Sequence, residues 1–533
     1  MQSSRPPSEE HQTKQIGDPG AGSVARSLLV QRSLGLFLLA ALVPFLWLVV
    51  VRVNSLGQAG EVSIDSYYHV EMADRFPEAC IARTFPWMTM SLWTDRFYDK
   101  ELLFHAGLSG LRSLNRTLGL SADPPFHFPS LAFGLGLIAT FTLFGIALRV
   151  PHMFFFTSAL VALSPVFTQR LLMLRPHLLS IVIMLLFCWH LTRARSLWPS
   201  IVFGFVTSYA YSNPHLILMP AIVFGVIRFH GEHKLALSIP LATLAGLVAG
   251  LTLHPQFPNT FELWKVQSVD VVRQIMFNSA PVGLGSELSR PPLIWFGMNA
   301  AYFLFALLNI VALVLLHRRT PVRKLSFDTL FLVALQGMTT VGALLSQRMF
   351  EYGWPFALLA SGLLLRDLIA DGLGRQWRAQ LQQRVRLSAH LAVVLVFCFF
   401  GIYMVRWVSP NQARELRSFG AWAARFAPPG TVIANLNWSD FPRLFYSAPH
   451  CRYLMGVEPM FTYTVAPEKF IKLEAFRAGV AMMSPREMRE LTQASFVYFT
   501  KQHFYLAKKM INNHYQLAYQ GEDGWVFDLG SNN

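Results

Sequence analysis

The chain has 533 residues, 53% of them hydrophobic and only 14% charged, with a mean hydropathy of +0.38, whereas ordinary domains carry roughly 25% charged residues. That balance excludes soluble enzymes, disordered chains and collagen-like fibres, and four cysteines are too few for a disulfide framework. The formal charge of +15 reads as a topology signal rather than a nucleic-acid footprint, because apolar runs of bilayer-spanning length recur and basic loops orient such chains.

In chain order, residues 1–32 are polar and rich in Ser, Gly and Pro, and read as a cytoplasmic tail. The run 33–53 is too long for a signal-peptide core and reads as an uncleaved first span. Further spans are predicted at 129–149, 152–169, 171–191, 197–212, 214–229, 235–253, 293–316, 327–346, 350–366 and 387–406, about eleven in all. With the N-terminus in the cytoplasm, the inner connections hold Arg193, Arg195, Arg228, Lys234, Arg318, Arg319, Arg323 and Lys324, then five arginines between 366 and 386. The short outer connections offer only Arg170, Arg175 and Arg348, an asymmetry that fixes the expected orientation.

Three larger pieces then lie outside: loop 54–128, loop 254–292 and the tail from about 407. In the tail, helices are expected at 410–426, 467–476, 485–492 and 503–513. Strands are expected at 431–436 and 495–500, with a closing hairpin turning at Asp523-Gly524. The expected architecture is mostly α, a polytopic membrane helix bundle over 33–406 with a small extracytoplasmic α/β domain over 407–533.

The acids gather in the first outer loop, at Glu61, Asp65, Glu71, Asp74, Glu78, Asp95, Asp99 and Glu101. A transporter is expected to concentrate ionisable groups inside its spans, so this placement favours an enzyme at the membrane surface. If 61–73 is helical, Asp65 and His69 share one face at i and i+4. A carboxylate at the water–lipid boundary acts as a general base or a metal ligand, against the plainer reading of a solvated acid. The cluster Trp93–His105 reads as charge pairing along an interfacial helix, or as a direct role for Asp99 or Glu101. His69 and His105 lack the tight ligand spacing of a zinc motif. Arg170, Arg175 and Arg348 read either as snorkelling cations, with Arg348 paired to Glu351, or as bidentate partners of a lipid phosphate.

A cytoplasmic N-terminus, one span, and an outer loop opening on Asp65-Ser66-Tyr67-Tyr68-His69 resemble the GT-C superfamily of integral-membrane glycosyltransferases. Within it, that motif is similar to the first acidic motif of archaeal oligosaccharyltransferase catalytic subunits, and Asn437-Trp438-Ser439-Asp440-Phe441 is similar to their WWDYG signature. The resemblance implies transfer of a sugar from a polyprenyl phosphate or pyrophosphate donor to an extracytoplasmic acceptor. It implies Asp65 as the catalytic acid or the ligand of a divalent metal such as Mg or Mn, with His69 orienting it. Arg170, Arg175, His177 and Arg348 would bind the donor phosphate, while Trp438, Asp440 and Glu287 would line the acceptor side.

Two departures stand out. The place of the family's second acidic motif holds Arg170, Arg175 and His177, which points toward a metal-independent branch. Ser439 and Pro442 also replace two positions of the WWDYG signature, so an Asn-x-Ser/Thr acceptor is not implied. Cys80 and Cys451 both fall outside, leaving a disulfide between loop and tail open. A lipid-linked-sugar transporter and a non-catalytic envelope assembly factor are the rival readings.

Overall fold

The computed structural model describes residues 60–119, 127–193, 196–232, 236–319, 325–370 and 413–530, with residues 395 and 399. The predicted tail 1–32, the run 33–53 and, apart from residues 395 and 399, the run 387–406 lie outside the described residues.

The first outer segment supplies two helices, α1 (Asp65–Asp74) and α2 (Leu102–Thr117). The apolar core then builds from α3 (His127–Ala147), α4 (Met153–Ala162), α5 (Pro165–Leu172), α6 (His177–Arg193), α7 (Leu197–Ala210), α8 (Leu218–Glu232) and α9 (Ser238–Leu253). After the 254–292 segment come α10 (Ala300–Arg319), α11 (Phe327–Leu345) and α12 (Phe350–Ala370).

Four described helices are long and apolar enough to cross a membrane, at Phe128–Ala147, Ala300–Arg318, Phe327–Leu345 and Gln347–Ala370, or five if α4 and α5 form one broken span. His177–Arg193, Leu197–Ala210, Pro214–Phe229 and Ser238–Leu253 are apolar but shorter. The run expected as one span at 152–169 is therefore two helices, bent by 80°. The cause is local. Ser164 caps α5 through its hydroxyl to the Phe167 amide at 3.1 Å, and Pro165 takes the first helical position, where its missing N–H costs nothing. The next apolar helix begins only at His177, just after Pro176, and a proline disfavours the helical region for the residue before it.

Glycine sets the closest helix pair. At Gly204 and Gly246 an added Cβ would overlap the backbone of the facing helix, and at Gly250 it would stand 2.8 Å from the Phe205 carbonyl. The Gly246-x-x-x-Gly250 spacing thus lets α7 and α9 approach backbone to backbone, the small-residue contact that works where lipid offers no hydrophobic drive.

The C-terminal part is a five-stranded sheet flanked by helices. Its strands are β3 (Val432–Asn435), β4 (Arg452–Tyr453), β5 (Phe496–Thr500), β6 (Gln516–Gln520) and β7 (Gly524–Asp528), in the order β4-β3-β5-β7-β6. β3 runs parallel to β4 and β5, while β7 is antiparallel to β5 and β6. The helix expected at 410–426 is shorter, α13 (Arg417–Phe426). Ahead of it Ala413–Arg414 forms a strand (β2) paired with Gly60–Glu61 (β1). The first loop also extends the sheet: Thr89 and Met90 amides donate to Tyr453 and Leu454 carbonyls, and the Tyr453 amide donates to Trp87. Loop and C-terminal part are thus stitched into one body. Cys80 and Cys451 are free thiols, Cys451 being fully buried behind β4.

Candidate active site

Asp65 opens α1, at the helix N-terminus where a carboxylate is favoured. Ser66 donates to the Leu174 carbonyl at 3.2 Å, tying α1 to the turn that carries Arg175. The Arg175 guanidinium lies 2.6 Å from Asp65 Oδ2. It also forks onto Glu287, at 2.9 Å and 3.0 Å to the two carboxylate oxygens.

Glu287 is the hub. Besides Arg175 it receives Arg170 from the last turn of α5 at 2.7 Å, and Arg348 from the turn before α12 at 3.8 Å. Arg170 spans further, to Glu351 in the first turn of α12 at 3.1 Å. Arg348 packs 5.5 Å from the Tyr211 ring centre, and its Nε is buried without a hydrogen-bond partner. Two arginines five residues apart, Arg170 and Arg175, and a third from far along the chain, Arg348, thus meet at one carboxylate beside Asp65. All three are mostly buried, while Asp65 is about one-third exposed, its side chain at 34%. Burial by itself raises the Glu287 carboxyl, yet Arg175, Arg170 and Arg348 outweigh it and hold it well below the ordinary carboxylate range.

The remaining predicted residues fall in different places. His177 is buried and its Nε2 lies 3.1 Å from the Arg170 carbonyl, so it braces the turn that carries that arginine. Glu287, expected on the acceptor side, instead sits among the arginines. Trp438 lies against the same loop, with an added Cβ at Gly285 standing 3.7 Å from its Cη2. Asp440 is buried inside the C-terminal part and pairs with Arg443 at 3.2 Å. Burial pushes its carboxyl up to about 6 despite that arginine.

His69 does not face Asp65. Positions i and i+4 differ by about 40° around a helix, enough for α2 to cover His69 while Asp65 stays at the rim. His69 Nδ1 meets His105 Nε2 at 2.9 Å, and His105 Nδ1 meets Asp99 at 2.8 Å. Burial, with His105 and Arg175 nearby, holds the His69 imidazole well below its usual range.

The sequence reading missed Tyr211, and it offered Glu351 to Arg348 alone, whereas Arg170 also pairs with it at 3.1 Å. The expected charge pairing along 93–105 is partly replaced by longer reach: Arg96 pairs with Glu262, and Lys100 bonds Gln267 at 3.0 Å. Nothing in the local pattern marks these partners.

A divalent ion at Asp65, as the resemblance implied, does not fit these residues. Its two nearest carboxylates are already bridged by a guanidinium, and two further cations stand behind. An arriving dication would be repelled by the positive charges gathered at Glu287.

No protein-family model matches the sequence, and no curated protein matches it either. Solved structures do match. The crystal structure of the Archaeoglobus fulgidus oligosaccharyltransferase tethered to an acceptor peptide with the NVT sequon has a TM-score of 0.50 at 10% identity, covering 92% of this chain and 74% of that one. AglB of the same organism, in complex with an inhibitory peptide and a dolichol-phosphate, gives 0.53 at 11% identity, with the same coverage. ArnT from Cupriavidus metallidurans bound to undecaprenyl phosphate gives 0.53 at 12% identity, covering 93% of this chain and 98% of that one. The chain shares the fold of these three structures, and its apolar helices are those of a multi-pass membrane protein.

Proposed function

We propose that the protein is a membrane glycosyltransferase that moves a sugar from a polyprenyl phosphate or pyrophosphate onto an extracytoplasmic acceptor. The observation that carries this reading is the convergence of Arg170, Arg175 and Arg348 on Glu287 beside Asp65. Three buried guanidiniums make a site for an anion with several oxygens, and a phosphate is the bidentate partner arginine matches best. The orphaned Arg348 Nε adds a donor still to be satisfied. The solved structural relatives described with polyprenyl phosphates support the same ligand class.

In this reading the donor phosphate exchanges for Glu287 on the arginine faces, and Glu287 swings with its loop. The acceptor's hydroxyl, amine or amide nitrogen attacks the anomeric carbon while the bond from that carbon to the phosphate oxygen breaks. The electron pair leaves on the phosphate, where the arginines stabilise the growing charge. Asp65 takes the proton from the acceptor. Arg175, 2.6 Å from its Oδ2, orients Asp65, the positioning a metal ion would supply elsewhere, so no divalent ion is required at Asp65. Trp438, against the Glu287 loop, borders the acceptor side, and the basic residues of the other connections support an extracytoplasmic position for this face.

Binding tests the donor half directly. Purified protein titrated with undecaprenyl phosphate should bind it, and Arg348→Ala should weaken binding roughly ten- to hundred-fold, the loss typical of hydrogen bonds to a charged group. Equal affinity of wild type and Arg348→Ala contradicts the phosphate site.

A further inference from the structure

We propose that His69, Glu101 and His105 form a buried binding site for one zinc-type divalent ion, separate from the arginine centre. His69 comes from α1, and Glu101 and His105 come from the start of α2. One donor atom from each lies within 4.8 Å of the others. Glu101 and His105 are four residues apart, and the His105 amide bonds the Glu101 carbonyl at 3.0 Å, so both side chains leave the same face of the first turn.

The tuning of His105 is that of a metal ligand. Asp99 holds its Nδ1 at 2.8 Å and 2.9 Å, which leaves the Nε2 lone pair turned toward His69, the carboxylate–histidine arrangement that fixes ring and tautomer behind a metal. His69 Nδ1 is 2.9 Å from that Nε2. Two nitrogens on a tetrahedral zinc at about 2.0–2.1 Å stand roughly 3.3–3.4 Å apart, so a small opening of this contact admits the ion.

All three donors are buried, with exposures of 4%, 4% and 0% in chain order. Buried charged and polar groups persist where they are paired or coordinate a metal. Lys100 reaches Glu101 only at 3.8 Å, its shorter contact being Gln267. Tyr68, whose ring lies 5.2 Å from His69 and 5.8 Å from His105, carries a buried hydroxyl with no hydrogen-bond partner. Two imidazoles and one carboxylate are a zinc donor set, with a water or Tyr68 left to complete four-coordination. The ion would clamp α1 to α2 and so fix the helix that begins at Asp65. It rests on none of the donor-site argument.

The test is metal content of the full chain, purified in detergent without chelator, by inductively coupled plasma mass spectrometry, followed by Co2+ substitution. About one zinc per chain is expected, with ligand-field bands of a four-coordinate nitrogen–oxygen site after cobalt exchange. Glu101→Gln and His69→Gln should lower occupancy at least five-fold, while Asp65→Asn and Arg175→Ala keep it. His105→Cys should hold cobalt and add a thiolate-to-cobalt charge-transfer band, a signal independent of whether the other variants fold. Background metal in wild type with no cobalt uptake overturns the site. So does full occupancy in folded Glu101→Gln, or cobalt-loaded His105→Cys without the thiolate band.

Discussion

At the residue scale the centre turns on Arg175, which touches Asp65 and both oxygens of Glu287 at once. A lysine offers one point charge where the guanidinium offers a planar fork. Arg175→Lys is therefore expected to keep the charge but lose the bridge, lowering kcat/KM by roughly 10²-fold, about 2.7 kcal/mol of transition-state stabilisation. Steady-state kinetics on the purified variant check it, and an unchanged kcat/KM removes Arg175 from the mechanism.

Asp440 carries a second residue-scale prediction. Its carboxyl is raised from 3.8 to about 6 in the folded chain, so the folded state holds the proton more tightly than the unfolded state. The stability this gives is complete below pH 4 and is lost as pH rises through 6. Asp440→Asn should thus gain on wild type as pH goes from 4 to 7, by at most about 3 kcal/mol. Thermal midpoints of both proteins in detergent across that range decide it, a constant difference being the contrary result.

At the scale of elements, the contact between α7 and α9 depends on glycine. Gly246→Leu places a side chain where the Ile201 backbone already sits, and overpacking typically costs 1–3 kcal/mol or more. A lower thermal midpoint and less folded protein are expected, with Gly297→Ala, which meets open space, within about 0.5 kcal/mol of wild type. Size-exclusion profiles and thermal midpoints of the two variants settle the point.

The same scale shows what the sequence could and could not say. The tail helices at 467–477 and 485–492 and the strand at 496–500 stand close to where Pro, Ser and apolar alternation put them, because those signals act within a few residues. The break at Ser164-Pro165 was also written locally, yet apolar composition on both sides concealed it. Pairing of β1 with β2, and of Trp87–Met90 with β4, joins residues more than 350 apart, and no local pattern encodes such a contact.

For the whole molecule, the separation between bundle, first loop and C-terminal part dissolves at the site. Asp65 comes from the first loop, Arg170 and Arg348 from the ends of apolar helices, Arg175 from the turn between two of them, Glu287 from the 254–292 segment, and Trp438 from the C-terminal part. The residue types were legible because an arginine at membrane depth needs a partner. Which carboxylate each would meet was not, since Arg170 and Glu351 are brought together only by the packing of α5 against α12. His69 illustrates the limit most clearly: its spacing from Asp65 suggested one partner, and the folding of α2 across α1 supplied another, His105.

The most direct test of the account is mass spectrometry of lipid-linked sugars and surface glycans in cells lacking the protein, complemented with wild type or with Asp65→Asn. Wild type should restore the glycan. The variant, present at wild-type levels, should behave as the deletion does, accumulating one polyprenyl-linked sugar and losing one glycan, whose masses identify donor and acceptor. Full rescue by Asp65→Asn at that expression level contradicts catalysis at Asp65.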